Sequence, residues 1–410
     1  MLKSPRQLLP ILAILLGYVG INSIIFDGVM SGPDAESYLD FAASAQHWDY
    51  WTNPEAFLST YFPVGYPFLL SLFGIGEERH ILGFVLQLLL GIVVLISTWG
   101  LASSLGTRSR TAATLLVAFS PFMTWMTQNL GYEMACSAIL VSAAFLTSRL
   151  RSERFRTLGM TLVISVLVGV LLGWALLMQS AMIAPVAVIL IYSFTRLPLA
   201  GIAATGGALV MPLAWTVRNF LVLDRISPFS TNGPLVFWHG NNPETIAGAA
   251  QNELIPPPDG TKTLTQAALD FLLTQPERVA SLYGRKVARL LEPNFVYIDG
   301  ISQPLQTLIH NLSTLFSITL LILVAAYIFR LLWIREPSPA SLTLSVWIVV
   351  SLFLFYVPFQ AEPRYLTPIG PFAVIIAVAC MKALRIAFPA SALTKPRSQR
   401  AERTRASDIN

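Results

Sequence analysis

Three ionisable side chains stand where an apolar chain seldom places charge without a partner. Asp34 lies in Ser31-Gly32-Pro33-Asp34-Ala35-Glu36-Ser37-Tyr38, ahead of Leu39, Phe41, Ala42 and Ala45 at helical spacing. That pattern predicts a surface helix beginning at Asp34. An Asp there either caps the helix, a contribution of about 1 kcal/mol, or takes a proton from a hydroxyl as general base. The spacing fits both. Glu133 ends the turn Gln128-Asn129-Leu130-Gly131-Tyr132-Glu133. It either complements a helix N-terminus or is a partly desolvated carboxylate in need of a partner or a task. Arg364, in Gln360-Ala361-Glu362-Pro363-Arg364-Tyr365, opens a late apolar run. Its expected partner is an anion, either Glu362 or a phosphate.

Other polar positions have bland readings beside the chemical ones. Trp215-Thr216-Val217-Arg218-Asn219 closes an apolar run and fits interfacial anchoring. The segment from Thr274 to Leu291, with Pro276 in its first turn, puts Val279, Leu282, Tyr283 and Leu290 on one face and Arg278, Arg285 and Arg289 on another. A basic amphipathic helix of that kind lies along a membrane surface. His47, His80, His239 and His310 show no ligand spacing, so no metal site is expected from them. A carboxylate pair admits a divalent cation, although no cofactor is required. The chain has no phosphate-cradling glycine loop, no nucleophile elbow and no series of paired intramembrane charges.

Composition sets the frame that holds these groups. Of 410 residues, 54% are hydrophobic and 12% charged, against about 25% charged in soluble domains. Lipid must therefore be the solvent for much of the surface. The expected fold is an all-α polytopic membrane protein with about ten spans: 8–26, 80–103, 111–128, 134–149, 156–177, 182–195, 199–220, 305–331, 340–358 and 366–386. The first, preceded by Lys3 and Arg6, is too long for a signal h-region and lacks a small-residue cleavage site, so it reads as an uncleaved span. Cys136 and Cys380 sit in apolar runs and read as small buried hydrophobes.

Charge orients the spans. With the N-terminus inside, 18 of the 27 Lys and Arg residues fall on the cytoplasmic side, among them Arg108, Arg110, Arg149, Arg196, Arg330 and Lys382. Both termini are then cytoplasmic in a plasma membrane, and the net charge of +5 reflects topology, not nucleic-acid binding. The organisation expected is a membrane module at 1–220 with an outer loop at 27–79, an outer lobe at 221–304 with a Pro256-Pro257-Pro258 elbow, membrane helices at 305–386, and a basic, disordered cytoplasmic tail at 387–410.

Taken in order, these motifs resemble the C-type glycosyltransferase superfamily, in particular bacterial relatives of dolichyl-phosphate-mannose protein mannosyltransferases. Asp34-Ala35-Glu36-Ser37-Tyr38 resembles the acidic motif of that family's first outer loop, and Tyr61-Phe62-Pro63-Val64-Gly65-Tyr66-Pro67 the stretch that follows it. Glu133 matches a second-loop acidic position. Trp215, Arg218 and Asn219, then Thr231-Asn232-Gly233 and Gly240-Asn241-Asn242-Pro243, resemble a further block. Ala267 to Lys286 is similar to the helices after it, and Arg364-Tyr365 with Pro368 and Pro371 to the start of a late span.

The resemblance implies an inverting transfer of a hexosyl or pentosyl group from a polyprenyl-phosphate-linked donor to an acceptor hydroxyl on the non-cytoplasmic face. Asp34 would be the general base and Glu133 its modulator. Arg364 and Tyr365, with help from Arg218, would meet the donor phosphate. Glu36, Tyr38, His239, Asn241 and Asn242 would line the sugar or acceptor site, although a structural Asn-rich turn explains the last pair equally. Two departures separate this chain from named branches: Ala35 intervenes between Asp34 and Glu36, and Pro63-Val64 replaces the Glu-Lys pair of aminoarabinose transferases. Rival readings are a polymerase or ligase of lipid-linked glycans on the same scaffold, and a flippase or transporter of lipid-linked sugars. Transporters usually carry inverted repeats and broken mid-membrane helices, and neither pattern is visible.

Overall fold

Backbone in lipid must satisfy its own hydrogen bonds, so a chain this apolar folds as helices. The computed structural model describes residues 8–47, 51–53, 60, 62–75, 79–150, 157–246, 262–293, 301–334 and 338–387. In chain order the helices are α1 (Leu9–Ile25), α2 (Ala35–Ala45), α3 (Gly65–Leu72), α4 (His80–Leu101), α5 (Thr107–Ala118), α6 (Pro121–Gln128), α7 (Tyr132–Ser148) and α8 (Leu158–Met178). There follow α9 (Ile183–Arg196), α10 (Pro198–Leu223), α11 (Gly233–Gly240), α12 (Leu264–Thr274), α13 (Pro276–Leu290), α14 (Gln303–Ile334), α15 (Ala340–Tyr356) and α16 (Gly370–Ala387). Short 3-10 turns lie at Ala102–Leu105, Ser180–Met182 and Pro363–Ile369. Lys3, Arg6, Tyr61, the Pro256–Pro258 elbow, Arg335 and the tail beyond 387 lie outside the described residues.

Five of the ten expected spans have spanning length and hydropathy. Among the described residues five helical stretches are long and apolar enough to cross a bilayer: His80–Leu105, Leu158–Met178, Pro198–Leu223, Gln303–Trp333 and Pro363–Leu384. The predicted spans 8–26, 134–149, 182–195 and 340–358 form apolar helices of 17 residues or fewer. Such a helix rises only about 25 Å. The predicted span 111–128 is not continuous. Ser120 caps a new helix by accepting from the Met123 amide, and Pro121 takes its first position, so the chain breaks between α5 and α6.

Apolar side chains cover the outside of the bundle as well as filling its core, and several polar ones are buried among them. Leu312, Leu315, Ile322, Phe329 and Leu332 of α14 face outward, as a lipid-facing helix requires. Gln87, Thr98, Thr114 and Ser137 are buried. Cys136 and Cys380 are free and buried. The chain is a multi-pass membrane protein. Arg108, Arg110, Arg149, Arg196, Arg330 and Lys382 lie at the helix ends opposite Asp34 and Glu133.

The closest packing joins α8 to α10. A Cβ on Gly169 would lie 2.0 Å from the Ala204 carbonyl oxygen, and one on Gly207 would lie 2.3 Å from that of Val166. Helices in lipid gain little from burying apolar surface, so small residues that let backbones touch supply the attraction. The contact also fixes the position of Gln179 and Ser180, into which α8 runs directly. The Gly169→Val variant should therefore force the helices apart at a cost of about 1–3 kcal/mol. A lowered melting temperature of the detergent-purified protein would show it; an unchanged one would contradict the close packing.

Candidate functional site

Asp34 occupies the N-cap position of α2 but makes no capping hydrogen bond. Its Oδ2 instead accepts from Arg364 Nη1 at 2.6 Å. The Glu133 Oε1 lies 3.7 Å from the same Nη1. An anion does meet Arg364, as expected, but of the two alternatives offered Glu362 is not the partner found. Glu362 stands in extended backbone before the Pro363–Ile369 turn, and side chains two apart there share no face. The three side chains are 24% (Asp34), 2% (Glu133) and 13% (Arg364) exposed, so their mutual attraction is screened far less than that of a surface pair.

Local structure explains how residues so distant in sequence meet. After α1 the chain runs beside the turn that follows α6: Leu130 N donates to the Ser31 carbonyl at 2.7 Å. Gly32 adopts φ +152°, and a Cβ there would sit 2.9 Å from the Leu130 oxygen. Glycine is what allows this crossing. Gly131 has a second role, since a Cβ on it would lie 2.1 Å from Glu133 Oε2. The turn is held from beneath by Gln87, whose Nε2 lies within hydrogen-bond distance of the Asn129 and Gly131 carbonyls and the Tyr66 hydroxyl. A buried glutamine inside a 22-residue apolar helix was itself a signal, because a polar group in that setting needs partners.

Asp34, Arg364 and Tyr365 lie on the wall of a cavity of about 500 Å³. Tyr38, Tyr132 and Tyr356 line it, with Gln179, Asn232 and His239. Tyr356 stacks on Tyr365 with centroids 4.7 Å apart, and Gln179 donates to the Tyr132 hydroxyl. Burial first, then the Asp34 and Glu133 charges, hold the Tyr38 phenol well above its usual range, so it stays neutral. Burial also lowers the His239 imidazole, whose Nε2 has no hydrogen-bond partner. Arg364 Nε likewise has none, which leaves donor capacity beside the cavity. Asp34 also borders a second basin, of about 800 Å³, with Glu36, Asp40 and His80.

The remaining predicted residues lie elsewhere. Arg218 sits 5.0 Å from the Trp215 ring centroid and donates to the Trp51 carbonyl and Asn219 Oδ1; it is not on the cavity wall. Asn241 and Asn242 are buried and serve the backbone. Asn242 Nδ2 donates to the Trp238 carbonyl. Asn241 Nδ2 donates to the Pro358 carbonyl at 2.7 Å, tying α11 to the segment that precedes the cavity-wall residues Phe359 and Gln360. Among the described residues no three His, Cys, Asp or Glu side chains are placed so that they could hold a metal ion. The cation set between the Asp34 and Glu133 carboxylates is Arg364 itself.

Sequence reasoning missed Lys286. It lies fully buried on the apolar face of α13 with Leu282 and Leu290. Its Nζ donates to Asn241 Oδ1 at 3.0 Å and lies 4.5 Å from the Tyr283 ring centroid. Placing it on the stripe with Leu282 and Leu290, four residues either side, was the available signal. Burial pushes its ammonium down to about 7.

No protein-family model and no curated protein matches the sequence. Solved structures match the fold. The apo oligosaccharyltransferase of Archaeoglobus fulgidus aligns with a TM-score of 0.51 at 14% identity, over 95% of this chain and 52% of that one. ArnT from Cupriavidus metallidurans, bound to undecaprenyl phosphate, aligns with a TM-score of 0.52 at 13% identity, over 90% of this chain and 60% of that one. The chain thus spans only part of the length of either protein. The likeness is one of fold, an all-helical architecture.

The buried lysine makes a pH prediction with a definite sign. The unfolded ammonium titrates at its ordinary 10.5 and the folded one near 7, so between these values the unfolded chain binds more protons. The cost of burying Lys286 is greatest below pH 7 and fades as pH rises toward 10.5. Wild type should gain melting temperature relative to Lys286→Met between pH 7 and pH 10. A constant difference across that range would mean that Lys286 is solvated or paired in solution.

Proposed function

We propose that the chain is a glycosyltransferase that moves a sugar from a polyprenyl-phosphate carrier to a hydroxyl acceptor. The observation that carries this reading is the Asp34–Arg364 pair at 2.6 Å on the wall of the 500 Å³ cavity. In the proposed reaction the acceptor oxygen attacks the anomeric carbon and its proton passes to Asp34. The bond from that carbon to the phosphate oxygen breaks, and its electron pair leaves with the polyprenyl phosphate. The phosphate thereby goes from a singly charged diester to a more highly charged monoester. Arg364, with Nε unpaired, offers donors to the charge as it grows. As phosphate engages the guanidinium, the carboxylate is released to serve as base. Glu133, almost fully buried, keeps Arg364 in place and charged.

Inversion requires nucleophile and leaving group on opposite sides of the sugar. Asp34 borders both basins, which supports a donor on the side of Arg364 and Tyr365 and an acceptor on the side of Glu36, Asp40 and His80. Tyr38 and His239 would contact the sugar. The positive-inside trend supports a cavity on the non-cytoplasmic face, since the described charges at the opposite helix ends are basic. A flippase has no need of a base at the membrane edge, and its working polar groups belong near mid-membrane.

The test is to incubate purified protein with polyprenyl-phosphate hexoses and pentoses and a cell-envelope extract as acceptor. Release of free polyprenyl phosphate is followed by mass spectrometry. Asp34→Asn should remain folded and lower release about 10²–10⁴-fold, while Arg364→Lys should lower the turnover rate as well as raise the donor concentration needed. Wild-type release by Asp34→Asn, or movement of intact donor across a bilayer without cleavage, would refute the proposal.

A further inference from the structure

The amide of Gln179 stands on the wall of the 500 Å³ cavity without a part in the chemistry of Asp34 and Arg364. Gln179 follows the last residue of α8, a 21-residue apolar helix, and Ser180 starts the 3-10 turn that leads into α9. A polar side chain in that setting needs a partner or a ligand.

Its backbone is held on both sides. The Gln179 amide donates to the Ala175 carbonyl at 3.0 Å, and the Met182 amide donates to the Gln179 carbonyl at 2.9 Å. The last turns of α8 are gripped from outside as well. Trp174 Nε1 donates to the Gly65 carbonyl at 2.8 Å, and a Cβ on Gly65 would lie 2.5 Å from the Met178 nitrogen. A side chain carried by so fixed a backbone is preorganised for binding.

The side chain itself is anchored through one atom. Nε2 donates to the Tyr132 hydroxyl at 3.0 Å. That spends one of its two N–H donors and leaves the second, together with the Oε1 lone pairs. Among the described residues Oε1 accepts no hydrogen bond, and the half-buried side chain lines the cavity. The Tyr356 hydroxyl, buried near Tyr132 and Gln179, makes no well-formed hydrogen bond to either. A buried hydroxyl left unpaired calls for a partner.

The position of this polar group relative to Arg364 is set by stacked rings. The guanidinium carbon lies 5.5 Å from the Tyr365 ring centroid, and that ring stacks on Tyr356 at 4.7 Å. Two aromatic layers thus separate the guanidinium from the Tyr356 end of the wall. In the proposed reaction the anomeric carbon stays beside Asp34 and Arg364, because it carries the bond that breaks. The 2-hydroxyl, on the adjoining carbon, stays with it. Carbons 3 and 4 are the part of the ring that extends beyond.

Resting on the glycosyltransferase reading, we propose that Gln179 selects the transferred sugar by gripping its hydroxyls at ring carbons 3 and 4. An amide presents a donor and an acceptor together, which matches two hydroxyls on adjacent carbons. An ammonium only donates and a carboxylate only accepts, so neither substituent satisfies both groups. The class of donor is therefore a polyprenyl-phosphate sugar with free hydroxyls on both carbons.

The experiment measures kcat/KM for polyprenyl phosphate release by the full chain purified in detergent. The substrates are the donor that wild type cleaves fastest and its 2-, 3- and 4-deoxy analogues. Wild type should lose about tenfold or more on the 3- or 4-deoxy donor. Gln179→Leu should lose as much on the parent donor and little more on that analogue, so its discrimination there collapses. Its ratio for the 2-deoxy donor should stay that of wild type. A purely structural role would slow every donor by one factor. If Gln179→Leu does not fold, Gln179→Asn, which keeps an amide but withdraws it by one methylene, should show the same collapse. A wild type indifferent to both hydroxyls, a variant that discriminates as wild type does, or a collapse at carbon 2 overturns the inference while the transferase reading stands. A wild type that cleaves no donor refutes that reading, and the inference falls with it.

Discussion

One guanidinium holds the cavity end of this molecule together. Arg364 stands 330 residues after Asp34 and bridges it to Glu133 within a largely desolvated space. Removing the guanidinium would leave two carboxylates facing one another without a counter-charge, a loss of about 3–5 kcal/mol. Three segments must therefore arrive together: the start of α2, the start of α7 and the 3-10 turn before α16. Gly32, Gly131 and Gln87 serve this convergence. Two of them remove side chains that would block it, and the third binds the carbonyls that it exposes.

Around that point the architecture follows from having lipid as solvent. Aliphatic side chains on the outer surface cost nothing in hydrocarbon, so packing specificity has to come from elsewhere. In α8 and α10 it comes from glycine and alanine, which bring backbones into contact. Near the cavity it comes from polar groups that find partners only in one arrangement. Tyr18 shares a hydrogen with Thr127 at 2.7 Å, and Gln128 reaches back to Asn22. These contacts tie α1 to α6 and so set the height at which residues 26–33 leave the bundle.

Helices α11 to α13 are held by a mixed device. Their own apolar cluster, around Trp238, Ala267 and Ala268, is small, and beside the apolar contacts of Leu290 and Phe237 a polar link runs from Lys286 to Asn241 to the Pro358 carbonyl. Desolvation without a compensating carboxylate explains the lowered pKa of the ammonium and makes Asn241 its principal partner. The Asn241-Asn242 motif thus shapes the cavity through the backbone instead of lining it.

Composition alone determined that this chain is helical and lies in lipid, because too few polar residues exist to cover a water-facing surface. The apolar periodicity after Asp34 determined α2. Local signals also marked the break at Ser120-Pro121, which the apolar run around it had obscured. Only the tertiary structure decided that Arg364 faces Asp34 and Glu133 and not Glu362, because sequence proximity says nothing about which side chain a 3-10 turn directs inward. It decided too that Lys286 is buried and that Arg218 anchors Trp51. Partner choice by a charge depends on where the low-dielectric space is, and that space exists only once all the helices enclose it.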